Sequence, residues 1–249
     1  MVKNKAVLLL IGLLTLWVGC VEDKALIRKK ARAQEDMAHA YIQKGDLKTG
    51  TKHLIEAAKL DPENPNIQYE LAQAYKVLGV YDKALVHFKK ALALKPEFSE
   101  AWNNLGTVYL LTEKWDLAIP CFQKAIKDIT YRRPAFAYNN LGLAYYNKGE
   151  YPKAIENYQQ ALALSPSYSV CLNNLGLAYE ALNEWDAAIA AYQKAVHYSP
   201  EYATAHFFLG RLYHRLNRYT EAREELRKTI ELDPRGPFAD DAKRLLKGY

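Results

Sequence analysis

Apolar residues return every three or four positions along most of the chain, the spacing that lays a stripe along an α-helix. These stripes fall into blocks with a period of 34. Asn103-Asn104-Leu105-Gly106 recurs as Asn139-Asn140-Leu141-Gly142 and as Asn173-Asn174-Leu175-Gly176. A Tyr follows each Gly by three (Tyr109, Tyr145, Tyr179). Twelve residues past the Gly comes an Ala (Ala118, Ala154, Ala188), then an aromatic (Phe122, Tyr158, Tyr192), then a second Ala (Ala125, Ala161, Ala195). Pro62, Pro96, Pro166, Pro200 and Pro234 close five of six blocks, each placed where a helix must stop because Pro cannot continue its backbone ladder.

The whole pattern resembles the tetratricopeptide repeat, a helix-turn-helix of 34 residues. The resemblance implies an all-α fold, a right-handed superhelical solenoid of six repeats, at 31–64, 65–98, 99–134, 135–168, 169–202 and 203–236. A capping helix is expected within 237–249, with Asp240, Asp241, Lys243 and Arg244 on its polar face. Gly106, Gly142, Gly176 and Gly210 each cost about 1 kcal/mol against Ala inside a helix. They are expected to let the two helices of a repeat approach closely, while the aromatics fill the spaces between repeats and account for most of the 19 Tyr.

The N-terminus reads differently. Met1 to Lys5 is basic and Ala6–Val18 is an apolar run of 13 residues, too short for a bilayer span of roughly 20. That layout is a secretory signal, and Gly19-Cys20 at its end resembles the lipobox of bacterial lipoproteins. Trp17 stands three before Cys20 where that motif prefers Leu, with Leu16 beside it. The resemblance implies a signal peptide at 1–19, lipidation at Cys20 and a short charged tether over 20–30. Val21 rather than Asp follows Cys20, which in the enteric pattern favours the outer membrane, facing the periplasm.

One repeat breaks the rhythm. The third lacks its closing Pro and is two residues longer, carrying Asp128-Ile129-Thr130-Tyr131-Arg132-Arg133-Pro134 instead. Lipoprotein signal, six repeats and this break together resemble the type IV pilus biogenesis lipoproteins PilF and PilW, the pilotins. The resemblance implies a non-enzymatic membrane-anchored protein that helps the pilus secretin subunit reach the membrane and multimerise. A general periplasmic scaffold gathering peptidoglycan hydrolases is the alternative.

In such solenoids the first helix of each repeat lines a concave groove that receives peptides. Counting each repeat's first residue as one, positions two, five, nine and twelve face inward. In the third to fifth repeats these include Asn103, Thr107, Leu110, Phe136, Asn139, Leu143, Tyr146, Val170, Asn173 and Leu177. Phe136, Leu143, Tyr146, Val170 and Leu177 are expected to form an exposed apolar strip, a common mark of an interaction site. Asn104, Asn140 and Asn174 at position six form an amide ladder able to hold a peptide backbone. The sixth repeat offers Phe207, Arg211, His214 and Arg215, suited to an acidic segment.

Composition narrows the alternatives. Hydrophobic residues make up 50% and charged residues 25%, a balance that folds. The formal charge is +6, or +4 without Lys3 and Lys5, with no dense basic stripe for nucleic acid. The six His are scattered, and no metal, nucleotide or nucleophile motif occurs. Neither catalysis, cofactor, metal nor small-molecule substrate is expected. Cys121 and Cys171 lie two repeats apart and are expected to be small buried residues without a disulfide.

Overall fold

The computed structural model describes residues 24–247, so the signal peptide and Cys20 lie outside the described residues. Every regular element among them is a helix. The elements are α1 (24–43), α2 (Leu47–Leu60), α3 (Pro65–Val77), α4 (Tyr81–Leu94), α5 (Ser99–Leu111), α6 (Trp115–Lys127) and α7 (Pro134–Asn147). Next come α8 (Tyr151–Leu164), α9 (Ser169–Ala181), α10 (Trp185–Tyr198), α11 (Ala203–Arg215), α12 (Tyr219–Leu232) and α13 (Ala239–Leu246). The chain falls into two compact units, one up to Val108 and one from Tyr109, each a stack of antiparallel helix hairpins.

In the first unit α2 packs on α3 and α3 on α4. Asp46 caps α2 by accepting the Thr49 backbone N–H at 3.0 Å. Asn64 caps α3 in the same way through Asn66 and Ile67, with Pro65 at the first helical position. Ala31, Ala57 and Ile67 form a buried cluster. Of the expected tether, 24–30 is helical and forms the start of α1. The stretch 24–43 contains no Gly or Pro and is rich in Lys, Ala and Arg, all good helix formers. Its rise is therefore about 1.5 Å per residue rather than that of an extended strand.

In the second unit α7 pairs with α8, α9 with α10 and α11 with α12, and α13 lies against α11 and α12. Phe122, Tyr158 and Tyr192, with Ala118, Ala125, Ala154, Ala161, Ala188 and Ala195 around them, are completely buried. The glycines make room for a ring. A Cβ on Gly142 would lie 2.6 Å from Tyr158 Cε1, and one on Gly176 would collide with Tyr192 Cε1. Helices α8, α10 and α12 stop two residues before Pro166, Pro200 and Pro234. At the other end Phe238 stacks on Phe207 at 4.5 Å, and Ala242 joins the cluster with Leu226.

The turn inside each repeat needs one residue at positive φ. Gly45, Gly79 and Gly149 fill it at 83°, 73° and 77°, Asn183 and Asn217 at 61° and 60°, and Glu113 at 58°.

Candidate partner-binding site

The first helices of the repeats in the second unit, α7, α9 and α11, carry most of the groove positions. Phe136 and Val170 at position two are 47% and 42% exposed. Phe136 rests on the Tyr168 ring at 5.0 Å. Leu143, Tyr146 and Leu177 are half-buried, as is Leu110 near the end of α5. Tyr146 packs against the cluster around Tyr158, and Leu177 against the cluster around Ala188 and Ile189. The five strip residues thus have uneven access to solvent, with Phe136 and Val170 the exposed members.

Position five departs from the expectation. Asn139 and Asn173 are only 4% and 3% exposed, so neither presents its amide to a partner. Asn174 Nδ2 donates to Asn139 Oδ1 at 3.0 Å, and Asn139 Nδ2 reaches Asn140 Oδ1 at 3.4 Å. These amides join α9 to α7. In the first unit Asn104 is held likewise, since its Oδ1 accepts from Lys76 Nζ and its Nδ2 donates to Tyr69 Oη and to the Glu100 carbonyl. Desolvation by burial lowers the Lys76 ammonium pKa. Half-buried Asn103 accepts the Thr107 hydroxyl through its carbonyl at 2.9 Å. Much of the expected ladder's bonding capacity is therefore spent within the chain.

The basic end of the sixth repeat is also organised from within. Arg211 Nη2 donates to both oxygens of Glu180, at 3.1 and 3.2 Å, and its guanidinium lies over Phe208 at 4.7 Å. Tyr192 donates its hydroxyl to Glu180 Oε1 at 2.6 Å. Burial, with the neighbouring Glu180 charge, pushes the Tyr192 phenol far above its ordinary pKa. Arg215 lies over Trp185 at 4.4 Å and His214 meets Tyr219 edge-on. Phe207 is not a groove residue, because α13 covers it and leaves 4% exposed. Glu180 is the residue that sequence reasoning passed over. It occupies position twelve of the fifth repeat, where Tyr146 and His214 stand in the flanking repeats, and that register was the available signal.

Cys121 and Cys171 are free and buried, and desolvation pushes the Cys171 thiol up to about 12. Among the described residues no group of three His, Cys, Asp or Glu is placed to hold a metal, and no helix is long and apolar enough to cross a membrane. The arrangement offers surfaces for binding.

Family models described as tetratricopeptide repeat match residues 173–237, and 97–167 with 135–197, while one described as TPR repeat matches 38–79 and 77–112. A solved structure of PilW, described as a widely conserved type IV pilus biogenesis factor, is similar with a TM-score of 0.77 and 22% identity. That match covers 85% of this chain and 97% of PilW. Pseudomonas aeruginosa pilF gives 0.73 and 19%, covering 87% of this chain and 98% of that one. MamA gives 0.61 and 30%, covering 67% and 96%. No curated protein matches the sequence.

Proposed function

Because this chain belongs to the tetratricopeptide-repeat family, whose stacked helix hairpins bind protein partners, we propose that it is a membrane-anchored scaffold for type IV pilus assembly. In this reading Cys20 is acylated, the protein sits on the outer membrane facing the periplasm, and the partner is the pilus secretin subunit. The exposed side chains Phe136 and Val170, with half-buried Leu143, Tyr146 and Leu177 beside them, receive the partner, and the Arg211–Glu180 pair borders them. The observation that carries the proposal is the agreement of length as well as fold with PilW and pilF, whose chains are covered to 97% and 98%. The lipobox-like Gly19-Cys20 and the break at Asp128–Pro134 support it from the sequence.

The test is an immunoblot of the pilus secretin in membranes with and without this protein. The expected outcome is loss of the detergent-resistant multimer, restored by the intact chain and not by Cys20→Ala. An unchanged outer-membrane multimer would overturn the pilus reading and turn the search toward cell-wall hydrolases on the same face.

A further inference from the structure

The break between the third and fourth repeats forms the turn from α6 to α7, and none of the groove positions falls within it. It is closed on itself. Asp128 Oδ1 accepts the Thr130 backbone N–H at 2.8 Å and the Thr130 hydroxyl at 2.7 Å, and the Tyr131 N–H donates to the Asp128 carbonyl at 3.1 Å. Tyr131 is buried, which pins the far side of the turn. Ile129, between these fixed points, is 98% exposed. A hydrophobic side chain held in water by a bonded turn is a standing cost that a covering surface would relieve.

Beside Asp128, whose carboxylate is bonded to Thr130, the turn carries three cations. Lys127, Arg132 and Arg133 are exposed, and none of the three forms an ion pair among the described residues. The turns that close the next two repeats, 165–168 and 199–202, carry no cation at all. The break thus carries more positive charge than the closing turns of the next two repeats and is tipped by one apolar side chain.

We propose that the 127–133 turn docks on an anionic phospholipid surface, with Ile129 at the headgroup–acyl boundary and Lys127, Arg132 and Arg133 on lipid phosphates. Magnitudes favour lipid over a protein. A specific protein interface buries roughly 800 Å² per partner around an apolar core, which a turn with one apolar side chain does not supply. A headgroup layer asks for no matching pocket, and each Lys or Arg near an anionic leaflet raises partitioning about fivefold. Such a contact is too weak to anchor a protein alone but acts as the second signal beside an acyl chain. This inference does not depend on the identity of the groove's partner.

The experiment is vesicle flotation of the full chain with Cys20→Ser, so that the segment before residue 24 contributes equally to every sample. Vesicles of phosphatidylcholine alone are compared with an equal mixture of phosphatidylcholine and phosphatidylglycerol. A second readout places a nitrobenzoxadiazole fluorophore on Ile129→Cys, the buried Cys121 and Cys171 staying unlabelled. Phosphatidylglycerol is expected to raise flotation and blue-shift the fluorophore. Arg132→Glu with Arg133→Glu should cut the phosphatidylglycerol-dependent binding at least about tenfold with helicity unchanged. If that double variant does not fold, Lys127→Glu takes its place, with a smaller expected drop. Equal flotation of intact and reversed chains would overturn the proposal. So would a fluorophore that ignores vesicles and shifts only with purified secretin subunit, which would make the turn a protein contact.

Discussion

A buried hydroxyl contributes according to what it bonds, and equivalent tyrosines in successive repeats separate the cases. Tyr192 donates to Glu180 at 2.6 Å, whereas the Tyr158 hydroxyl, 34 residues earlier, has no partner among the described residues. The fourth repeat has Tyr146 where the fifth has Glu180, so the acceptor is missing. Tyr192→Phe should therefore lose about 1.5–3 kcal/mol in urea unfolding, while Tyr158→Phe is neutral or slightly stabilising. Equal losses at both sites would mean that Tyr158 has an acceptor after all. The aromatic positions were legible from their period, but the bonded hydroxyl was not, because its acceptor is set by a different helix of the repeat. His206 gives a second residue-scale prediction. Its Nε2 faces the Pro200 carbonyl at 2.9 Å and its Nδ1 faces Glu225 Oε2 at 2.6 Å. The carbonyl only accepts and so does the ionised carboxylate, so this geometry favours the protonated ring, which donates from both nitrogens. Burial, the largest influence, opposes that charge, as does Lys228. The bonds to Glu225 and Pro200, with the Glu225 charge, outweigh them and raise the pKa. A raised folded-state pKa gives stability that is complete below the ordinary histidine range and fades as pH climbs through the folded value. Melts of the intact chain and His206→Gln from about pH 5 to pH 9 should converge as pH rises.

Among the elements, the helices follow the sequence closely where Pro closes them, and the turn inside each repeat was equally readable. Gly45, Gly79, Glu113, Gly149, Asn183 and Asn217 share one place in the repeat and all have positive φ. Glu113 is the misfit, since a side chain with a Cβ costs about 1–2 kcal/mol in that conformation and only Gly, Asn and Asp tolerate it well. Glu113→Gly should stabilise the protein by about 1 kcal/mol, less the greater chain entropy that Gly gives the unfolded state. For a chain of this size, that is a rise in Tm of roughly 2–4 °C by differential scanning. Asn183→Gly should move the Tm less. The charge of 24–30 hid its helix propensity, and without Gly or Pro nothing stops α1 there. Pro120, inside α6, sits on an exposed position one turn into the helix. The helix continues past it, whereas the other prolines stand in the first turn of a helix, as Pro65, Pro134 and Pro152 do, or after a helix end, as Pro166, Pro200 and Pro234 do.

Across the molecule, repetition made the fold readable while hiding which repeated positions are used. A period of 34 specifies where first helices lie, but whether position five reaches solvent depends on neighbouring helices: Asn139 is sealed by Asn174, and Phe207 by α13. The candidate surface was therefore legible as a face and not as a residue set. Its most accessible members, Phe136 and Val170, lie at position two, and its charged member Glu180 is already neutralised by Arg211. Hot-spot energetics place partner capture on large apolar side chains with a protected surround. Phe136 fits that description, exposed yet backed by Tyr168, and Leu143 stands two helical turns further along α7. Glu at both positions puts two charges where an apolar partner segment would have to desolvate them. Phe136→Glu with Leu143→Glu should weaken capture of purified secretin subunit by at least about thirtyfold, the loss of a hot spot of 2 kcal/mol or more. Circular dichroism should be unchanged, because neither side chain is fully buried. Val170→Glu should weaken capture less, since it removes one smaller contact. Capture that survives the double variant would move the interface off this face, and the same variants would then serve as controls for mapping it elsewhere.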